Sequence, residues 1–116
     1  MTDTFSVTSE RPNDSTAVIS VSGEVDIYTA PQFKEKMLEL LDAGITDLVV
    51  DLAEVTFIDS TALGVLIGGV RRVNGAGGAM ALVVVSRPVR RVLSITGLDR
   101  VFSIHETRDA ALKALA

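Results

Sequence analysis

The sequence contains no cysteine, no tryptophan and a single histidine, His105. The lack of cysteine excludes disulfides, a thiolate nucleophile and a cysteine-type zinc site. Aromatic residues make up only 4% of the chain, so an aliphatic core is expected. No apolar stretch reaches the ~18 residues that cross a bilayer, and residues 1–22 lack the basic start and apolar run of a signal peptide. These absences predict a cytoplasmic protein without a membrane segment.

A surplus of positive charge is also missing. The formal net charge is -4 and the pI is near 4.8, whereas proteins that bind nucleic acid usually gather Lys and Arg into a stripe. We therefore expect no direct contact with nucleic acid. The hydrophobic fraction of 47% and the charged fraction of 22% are typical of a chain that buries a core. A chain of 116 residues is expected to form one domain, over residues 1–116.

Strand-like and helix-like patterns alternate along the sequence. The strand patterns predict an opening hairpin, with strands around residues 5–7 and 17–21, and further strands at 48–50, 79–85 and 101–104. Asp51 is expected to end the strand at 48–50. Helical periodicity predicts one helix from about Ala30 and others over residues 61–73, 89–95 and 108–115. This order predicts an α/β fold with a mostly parallel sheet, to which the hairpin adds an antiparallel edge strand.

Two of the helix starts carry candidate caps. Thr29 to Gln32 reads T-x-x-Q, with Pro31 in the first turn, which predicts a capping box. Ser60 precedes the next helix and is its natural N-cap, a role worth ~1 kcal/mol. Asp59 would be favoured by the positive end of the same helix dipole. Capping alone could therefore explain both residues.

The same residues are expected to share one edge of the sheet. Loops that follow parallel strands gather at the carboxyl ends of the strands, where ligands and partners usually dock. Residues 23–29 follow one predicted strand and residues 53–60 follow another. The polar residues brought together there are Asp26, Thr29, Asp59 and Ser60. Ile27 and Tyr28, in the first of these loops, fit core packing and partner contact equally well.

Catalytic motifs are weak around Ser60. A serine nucleophile requires a base, yet the single histidine lies in or after the last short strand, and no G-x-S-x-G elbow surrounds Ser60. The glycines of residues 75–78 precede a strand instead of opening a helix, which indicates a turn and not a phosphate cradle. A phospho-aspartate receiver would need a lysine after a late strand, but every lysine falls in a predicted helix. We expect no catalytic activity, no metal and no cofactor.

The stretch DLAEVTFIDSTALGVL, from Asp51 to Leu66, resembles the signature of STAS domains. The resemblance is to the small anti-sigma factor antagonists of bacteria, and especially to actinobacterial members. It extends over nearly the whole chain, with support from Gly23-Glu-Val-Asp, Thr29-Ala30, Gly77-Gly78, residues 86–91 and Thr96-Gly97-Leu98. It implies the STAS fold, a mixed and mostly parallel sheet with an antiparallel edge strand.

The resemblance also implies a function in the control of transcription. In that family, a serine that matches Ser60 is phosphorylated by an anti-sigma factor, a serine kinase that binds ATP, and a PP2C-type phosphatase removes the phosphate. The unmodified antagonist binds the anti-sigma factor and frees the sigma factor, a partner switch used in stress responses. Ser60 is thus the implied phosphoacceptor, and the implied partner-binding residues are Asp26, Thr29, Asp59, Ser60, Thr61 and Gly64.

One residue departs from the family pattern, and two other functions stay open. Many members have glycine where this chain has Ala62, so the helix start is expected to be stiffer by up to ~1 kcal/mol and to present one extra methyl to a partner. The first alternative is a constitutive STAS scaffold, or a regulatory subunit of a larger signalling or transport assembly, in which Ser60 is only a cap. The second is an enzyme of phosphoryl or acyl chemistry centred on Asp59 and Ser60.

Overall fold

A single mixed sheet organises the chain. The computed structural model describes residues 5–115, and the strand order in the sheet follows the sequence. The strands are β1 (Ser6–Glu10), β2 (Thr16–Val25), β3 (Asp47–Ile58), β4 (Ala79–Val83) and β5 (Ser103–His105). β1 is antiparallel to β2, and all the other neighbours are parallel. The α/β class, the opening hairpin and the mostly parallel sheet are therefore confirmed.

Helices cover both faces of the sheet, but unequally. They are α1 (Ala30–Asp42), α2 (Ser60–Gly75), α3 (Arg87–Ile95) and α4 (Arg108–Leu115), with a 3-10 turn at Leu98–Arg100. The buried residues of α1, α2 and α3 join one large core cluster, as expected when successive right-handed crossovers step along the sheet in one direction. α4 closes a smaller cluster on the opposite face. Among the helices of residues 5–115, none has the length and hydrophobicity that a bilayer crossing requires.

β3 is longer than the sequence pattern predicts. The prediction that Asp51 ends this strand is wrong, because the strand continues to Ile58. The carboxylate of Asp51 accepts a hydrogen bond from the backbone N–H of Ala53 at 3.0 Å and is also bound by Arg108, so the acid is satisfied within the strand. As a result, the predicted loop over residues 53–60 shrinks to a single residue, Asp59, between β3 and α2.

Two later strands also differ from their predicted bounds. β4 ends at Val83 and not at residue 85, since the next residues lead into α3. β5 begins at Ser103 and not at residue 101, because the chain first forms the 3-10 turn. The helix predicted over residues 108–115 is confirmed, and α3 begins two residues earlier than predicted.

Arg108, the first residue of α4, joins three strands on the face away from α1 and α2. Its guanidinium donates hydrogen bonds to Ser20 Oγ at 2.8 Å and to Asp51 Oδ2 at 3.2 Å, and it also pairs with Glu10. Partial burial lowers the pKa of Arg108, but its hydrogen bonds to Asp51 and Glu10 and their negative charges together outweigh burial, so the net shift is upward. Arg108 therefore stays charged and fastens α4 to the sheet.

The glycine-rich turn between α2 and β4 contains one position that admits no side chain. A Cβ atom on Gly78 would lie 1.8 Å from the backbone oxygen of Thr46. We expect Gly78→Ala to lower the free energy of unfolding by about 1–3 kcal/mol, the usual range for an overpacked site. Gly75→Ala is the matched control, because a Cβ there meets no atom within 4 Å and alanine favours the helix. Urea denaturation of both variants tests this, and equal stability of the two would contradict it.

Candidate functional site

The carboxyl ends of β2 and β3 meet directly. Val25 is paired with Ile58 at the end of the parallel ladder, and the backbone N–H of Asp59 donates to the oxygen of Val25 at 3.2 Å. The loop at residues 26–29 and the start of α2 therefore lie side by side. The structure thus brings together the four polar residues that the sequence places at this edge: Asp26, Thr29, Asp59 and Ser60.

The loop at residues 26–29 is held by its own two polar side chains. Asp26 Oδ1 accepts hydrogen bonds from the backbone N–H groups of Tyr28 at 2.9 Å and Thr29 at 3.1 Å. Thr29 Oγ1 donates to the oxygen of Glu24 at 2.8 Å and accepts from the N–H of Asp26 at 3.0 Å. Both residues are therefore engaged in fixing the loop conformation.

The predicted capping box at Thr29 is wrong, although the helix does begin at Ala30. Thr29 has φ -101° and ψ -23°, close to helical values, while a capping side chain usually belongs to extended backbone. Its hydroxyl turns back into the loop and makes no capping hydrogen bond. The backbone oxygen of Asp26 instead accepts from the N–H of Ala30 at 2.7 Å.

The loop presents two apolar side chains to solvent. Ile27 is 63% exposed and Tyr28 is 85% exposed, so neither side chain packs in the core. Phe57, 46% exposed, is paired with Glu24 in the same region of the sheet. Phe57 is not among the residues expected at this edge, because the sequence pattern predicts that β3 ends at Asp51, whereas Phe57 lies in β3 beside buried Ile58. Exposed apolar groups at one edge are typical of a protein-binding surface.

Asp59, and not Ser60, caps α2, so the predicted cap is wrong by one residue. Asp59 has extended backbone, and its Oδ1 accepts from the N–H of Thr61 at 2.9 Å and of Ala62 at 3.1 Å. An aspartate at this position also stabilises the positive end of the helix dipole. Ser60 is exposed at the first position of the helix. Within residues 5–115, no side-chain hydrogen bond engages its hydroxyl, since the N–H groups of Thr61 and Ala62 both donate to Asp59.

Ala62 does not face outward. Its side chain is 1% exposed and belongs to the main core cluster, so the expectation that its methyl meets a partner is wrong. The helical period places position 62 on the inner side of α2, next to Leu63, which is also buried. The departure from the family glycine therefore changes internal packing and not the partner surface.

An apolar groove runs between α1 and α2 and reaches the Ser60 edge. Its volume is about 530 Å³, and its lining includes Ala30, Met37, Thr61, Gly64, Val65 and Gly68. Gly64 and Gly68 follow Ser60 at intervals of four residues, and a Cβ at either glycine would meet nothing within 4 Å. Sequence reasoning missed the groove, although this spacing places Ser60 and the two glycines on one helix face.

Within residues 5–115, metal-binding clusters are absent and His105 stands two strands away from β3. Residues 5–115 hold no cluster of three or more His, Cys, Asp or Glu side chains placed to bind a metal ion. His105 lies on β5, where its Nε2 is hydrogen-bonded to Ser103 Oγ at 2.6 Å. The histidine is therefore paired with Ser103 and not with Ser60, and β4 lies between its strand and β3.

The STAS domain family matches residues 8–111 of this chain. The chain belongs to that family. An anti-sigma-B factor antagonist of Bacillus subtilis is 35% identical over 94 residues, which cover 81% of this chain and 85% of the relative. The STAS fold and the sequence resemblance are both confirmed.

Solved structures place this STAS chain among anti-sigma factor antagonists. The crystal structure of one from Mycobacterium paratuberculosis has a TM-score of 0.90 and 30% identity, and the match covers 99% of this chain and 98% of that one. The Bacillus cell fate determinant SpoIIAA in its phosphorylated form has a TM-score of 0.75 at 22% identity, covering 96% and 100% of the two chains, which shows a shared fold. The first of these structures agrees with the resemblance to actinobacterial members.

The division of roles between Asp59 and Ser60 can be tested by stability. We expect Asp59→Ala to lower the free energy of unfolding of this STAS domain by about 1 kcal/mol, because two backbone N–H groups lose their acceptor. Asp59→Asn retains an acceptor and should cost less. Ser60→Ala should change stability by no more than about 0.5 kcal/mol, as for an exposed residue without contacts. Urea denaturation measures all three, and a Ser60→Ala cost equal to that of Asp59→Ala would refute the assignment.

Proposed function

We propose that this chain is an anti-sigma factor antagonist controlled by phosphorylation of Ser60. The unphosphorylated form binds a cognate anti-sigma factor, which is a serine kinase that carries ATP, and so releases the sigma factor. Phosphorylation of Ser60 ends this binding, and a PP2C-type phosphatase restores it. The chain acts as one STAS domain over residues 1–116 in the cytoplasm, without catalysis, a metal or a cofactor of its own.

The free hydroxyl of Ser60 is the observation that carries this proposal. It is exposed at the first position of α2, while Asp59 alone performs the capping. A kinase can therefore modify Ser60 without breaking a hydrogen bond that the fold needs. A phosphate there would add a charge of about -1.5 to -2, which the positive end of the helix dipole tolerates. The solved phosphorylated form of SpoIIAA is in keeping with a modified STAS domain that retains its fold.

The surroundings of Ser60 explain how a phosphate would end binding. Asp59 precedes it and Asp26 lies in the adjoining loop, and both carboxylates are held in place by backbone N–H groups. A phosphate at Ser60 would concentrate negative charge at this edge. A partner surface that fits a small neutral hydroxyl would then have to bury unmatched charge, at a cost of several kcal/mol. Such a cost lowers affinity by orders of magnitude.

The same edge supplies apolar contacts for the partner. Ile27 and Tyr28 project from a loop that Asp26 and Thr29 hold rigid, so little conformational freedom is lost when a partner covers them. Tyrosine is among the residues that contribute most to binding energy at protein interfaces. We therefore assign Asp26 and Thr29 an indirect part in binding, through the loop, and assign direct contact to Ile27 and Tyr28.

Substitutions at Ser60 test the switch. The probe is the recombinant anti-sigma factor kinase of the source organism, with ATP for phosphorylation and with ADP for binding. We expect phosphate on Ser60 alone, no labelling of Ser60→Ala, and wild-type affinity of Ser60→Ala by calorimetry. Ser60→Asp should bind about 100-fold more weakly, a loss of roughly 2.7 kcal/mol. Ser9→Asp adds the same charge at an exposed site on β1 and should bind normally.

Equal affinity of Ser60→Ala and Ser60→Asp would contradict the switch. Phosphopeptide mapping of the protein from resting and stressed native cells gives an independent measurement. A Ser60 phosphate whose occupancy changes with state is the expected result. An unmodified Ser60 in every state, together with a stable partner that is not a kinase, would favour a constitutive scaffold.

Gly64 tests whether the partner approaches α2 closely. In the free protein a Cβ at this position meets nothing within 4 Å, so Gly64→Ala should stabilise the helix by up to about 1 kcal/mol. The added methyl would stand one turn from Ser60, where a closely packed partner should lose about 1–3 kcal/mol of binding energy. We expect higher thermal stability with at least about fivefold weaker kinase binding.

Gly75→Ala again provides the control, since it lies at the far end of α2 and also has open space around its Cβ. It should bind the kinase like the wild type. Unchanged affinity of Gly64→Ala would remove Gly64 from the partner surface, without bearing on the phosphorylation of Ser60.

A further inference from the structure

α3 is a strongly amphipathic helix with an arginine-rich outer face. Val89 and Leu93 are fully buried in the main core cluster, while Arg87, Arg90 and Arg91 are all exposed. These three arginines, here called the arginine surface, lie within five consecutive residues of a chain whose net charge is -4. Such a concentration of positive charge on an acidic protein requires an explanation.

Contacts within the chain do not explain the arginine surface. In the described residues, Arg72 is paired with Asp42, and Arg108 with Asp51 and Glu10. Over the same residues 5–115, no carboxylate forms an ion pair with an arginine of α3. The side chains of these three arginines also donate no hydrogen bond within the described residues.

The arginine surface also works against the stability of its own helix. Arg87 and Arg90 are three residues apart and Arg87 and Arg91 are four apart, so like charges face each other on one side of the helix. Arg87 and Arg90 lie in the first turn of α3, where the helix dipole is positive and where no acidic residue lies. Local stability therefore disfavours this arrangement, which points to a requirement outside the chain.

The position of α3 connects this surface with the Ser60 edge. The helix begins shortly after the carboxyl end of β4, which pairs in parallel with β3, the strand that leads to Ser60. α3 also packs against β3. α3 and α2 thus both follow the carboxyl ends of neighbouring parallel strands, but β4 ends opposite Asp51 while β3 continues to Ile58. A partner bound at Ser60 would reach the arginine surface by extending back along β3, against which α3 packs.

We propose that Arg87, Arg90 and Arg91 bind an acidic segment of the anti-sigma factor, and this proposal rests on the proposed function. Guanidinium groups recognise carboxylates through paired hydrogen bonds, which gives the contact geometric specificity. A protein segment fits better than a nucleic acid or a membrane, because an extended anionic surface would also meet and repel the surrounding negative charge of this chain. Attraction between the two surfaces accelerates association.

The test compares two triple variants that remove the same number of positive charges. One is Arg87→Gln, Arg90→Gln and Arg91→Gln, in which glutamine preserves helix propensity. The other is Arg11→Gln, Arg100→Gln and Lys113→Gln, at exposed sites away from the Ser60 edge. The probe is the recombinant anti-sigma factor kinase that binds the wild-type chain, and surface plasmon resonance at several salt concentrations measures association and dissociation.

We expect the arginine variant to bind the kinase about tenfold or more weakly, with slower association and a smaller salt dependence, while the control changes by less than about twofold. The urea midpoint of the arginine variant should equal or exceed that of the wild type, because repulsion within α3 is relieved. If the triple variant proves less stable, the single variants Arg87→Gln and Arg90→Gln, compared with Arg11→Gln, give the same test.

The possible failures are distinct. Kinase binding that is equal in the arginine variant and the control would overturn this inference and leave the Ser60 switch intact. Absence of kinase binding by the wild-type chain would defeat the proposed function, and this inference with it. Loss of binding to phosphatidylglycerol vesicles or to duplex DNA in the arginine variant alone, with unchanged kinase binding, would assign the surface to lipid or nucleic acid and would also overturn the inference.

Discussion

The parallel pairing of β2 with β3 is the constraint on which the functional edge depends. It runs from Thr16 and Asp47 to Val25 and Ile58, beyond the point where β4 has ended. Since both strands finish together, the loop at residues 26–29 and the start of α2 are fixed next to each other by backbone hydrogen bonds. The distance between the loop at residues 26–29 and the start of α2 is therefore set by the sheet. The side chains there determine only the local conformation of each segment.

Structural and functional roles are assigned to neighbouring residues at this edge. Asp59 accepts hydrogen bonds from the first backbone N–H groups of α2, so the hydroxyl of Ser60 is not needed to cap the helix. In the other loop, Asp26 and Thr29 satisfy the backbone, and Ile27 and Tyr28 are held in solvent as a result. Residues that hold the backbone and residues that face outward thus adjoin each other within two short segments. Under the proposed function, phosphorylation of Ser60 alters recognition while the fold persists.

The sequence predicts the architecture better than it predicts the local details of the edge. The hairpin, the alternation of strands and helices, and the helix at residues 108–115 follow from hydrophobic periodicity, which depends on near neighbours. The cap of α2 does not, because Asp59 and Ser60 are both good capping residues and only the backbone angles distinguish them. Nor could periodicity show that Asp51 lies inside β3, where it is bound by Arg108, a partner 57 residues away. The groove between α1 and α2 arises only when the two helices pack.

The contact between Arg108 and Glu10 joins the last helix to the first strand across 98 residues of sequence. During synthesis, Glu10 and Ser20 leave the ribosome long before their partner has been made. Until then the face that α4 covers, including Val18 and Val49, stays open to solvent and to other chains. A truncated product would therefore display an unfinished apolar face that proteases and chaperones recognise.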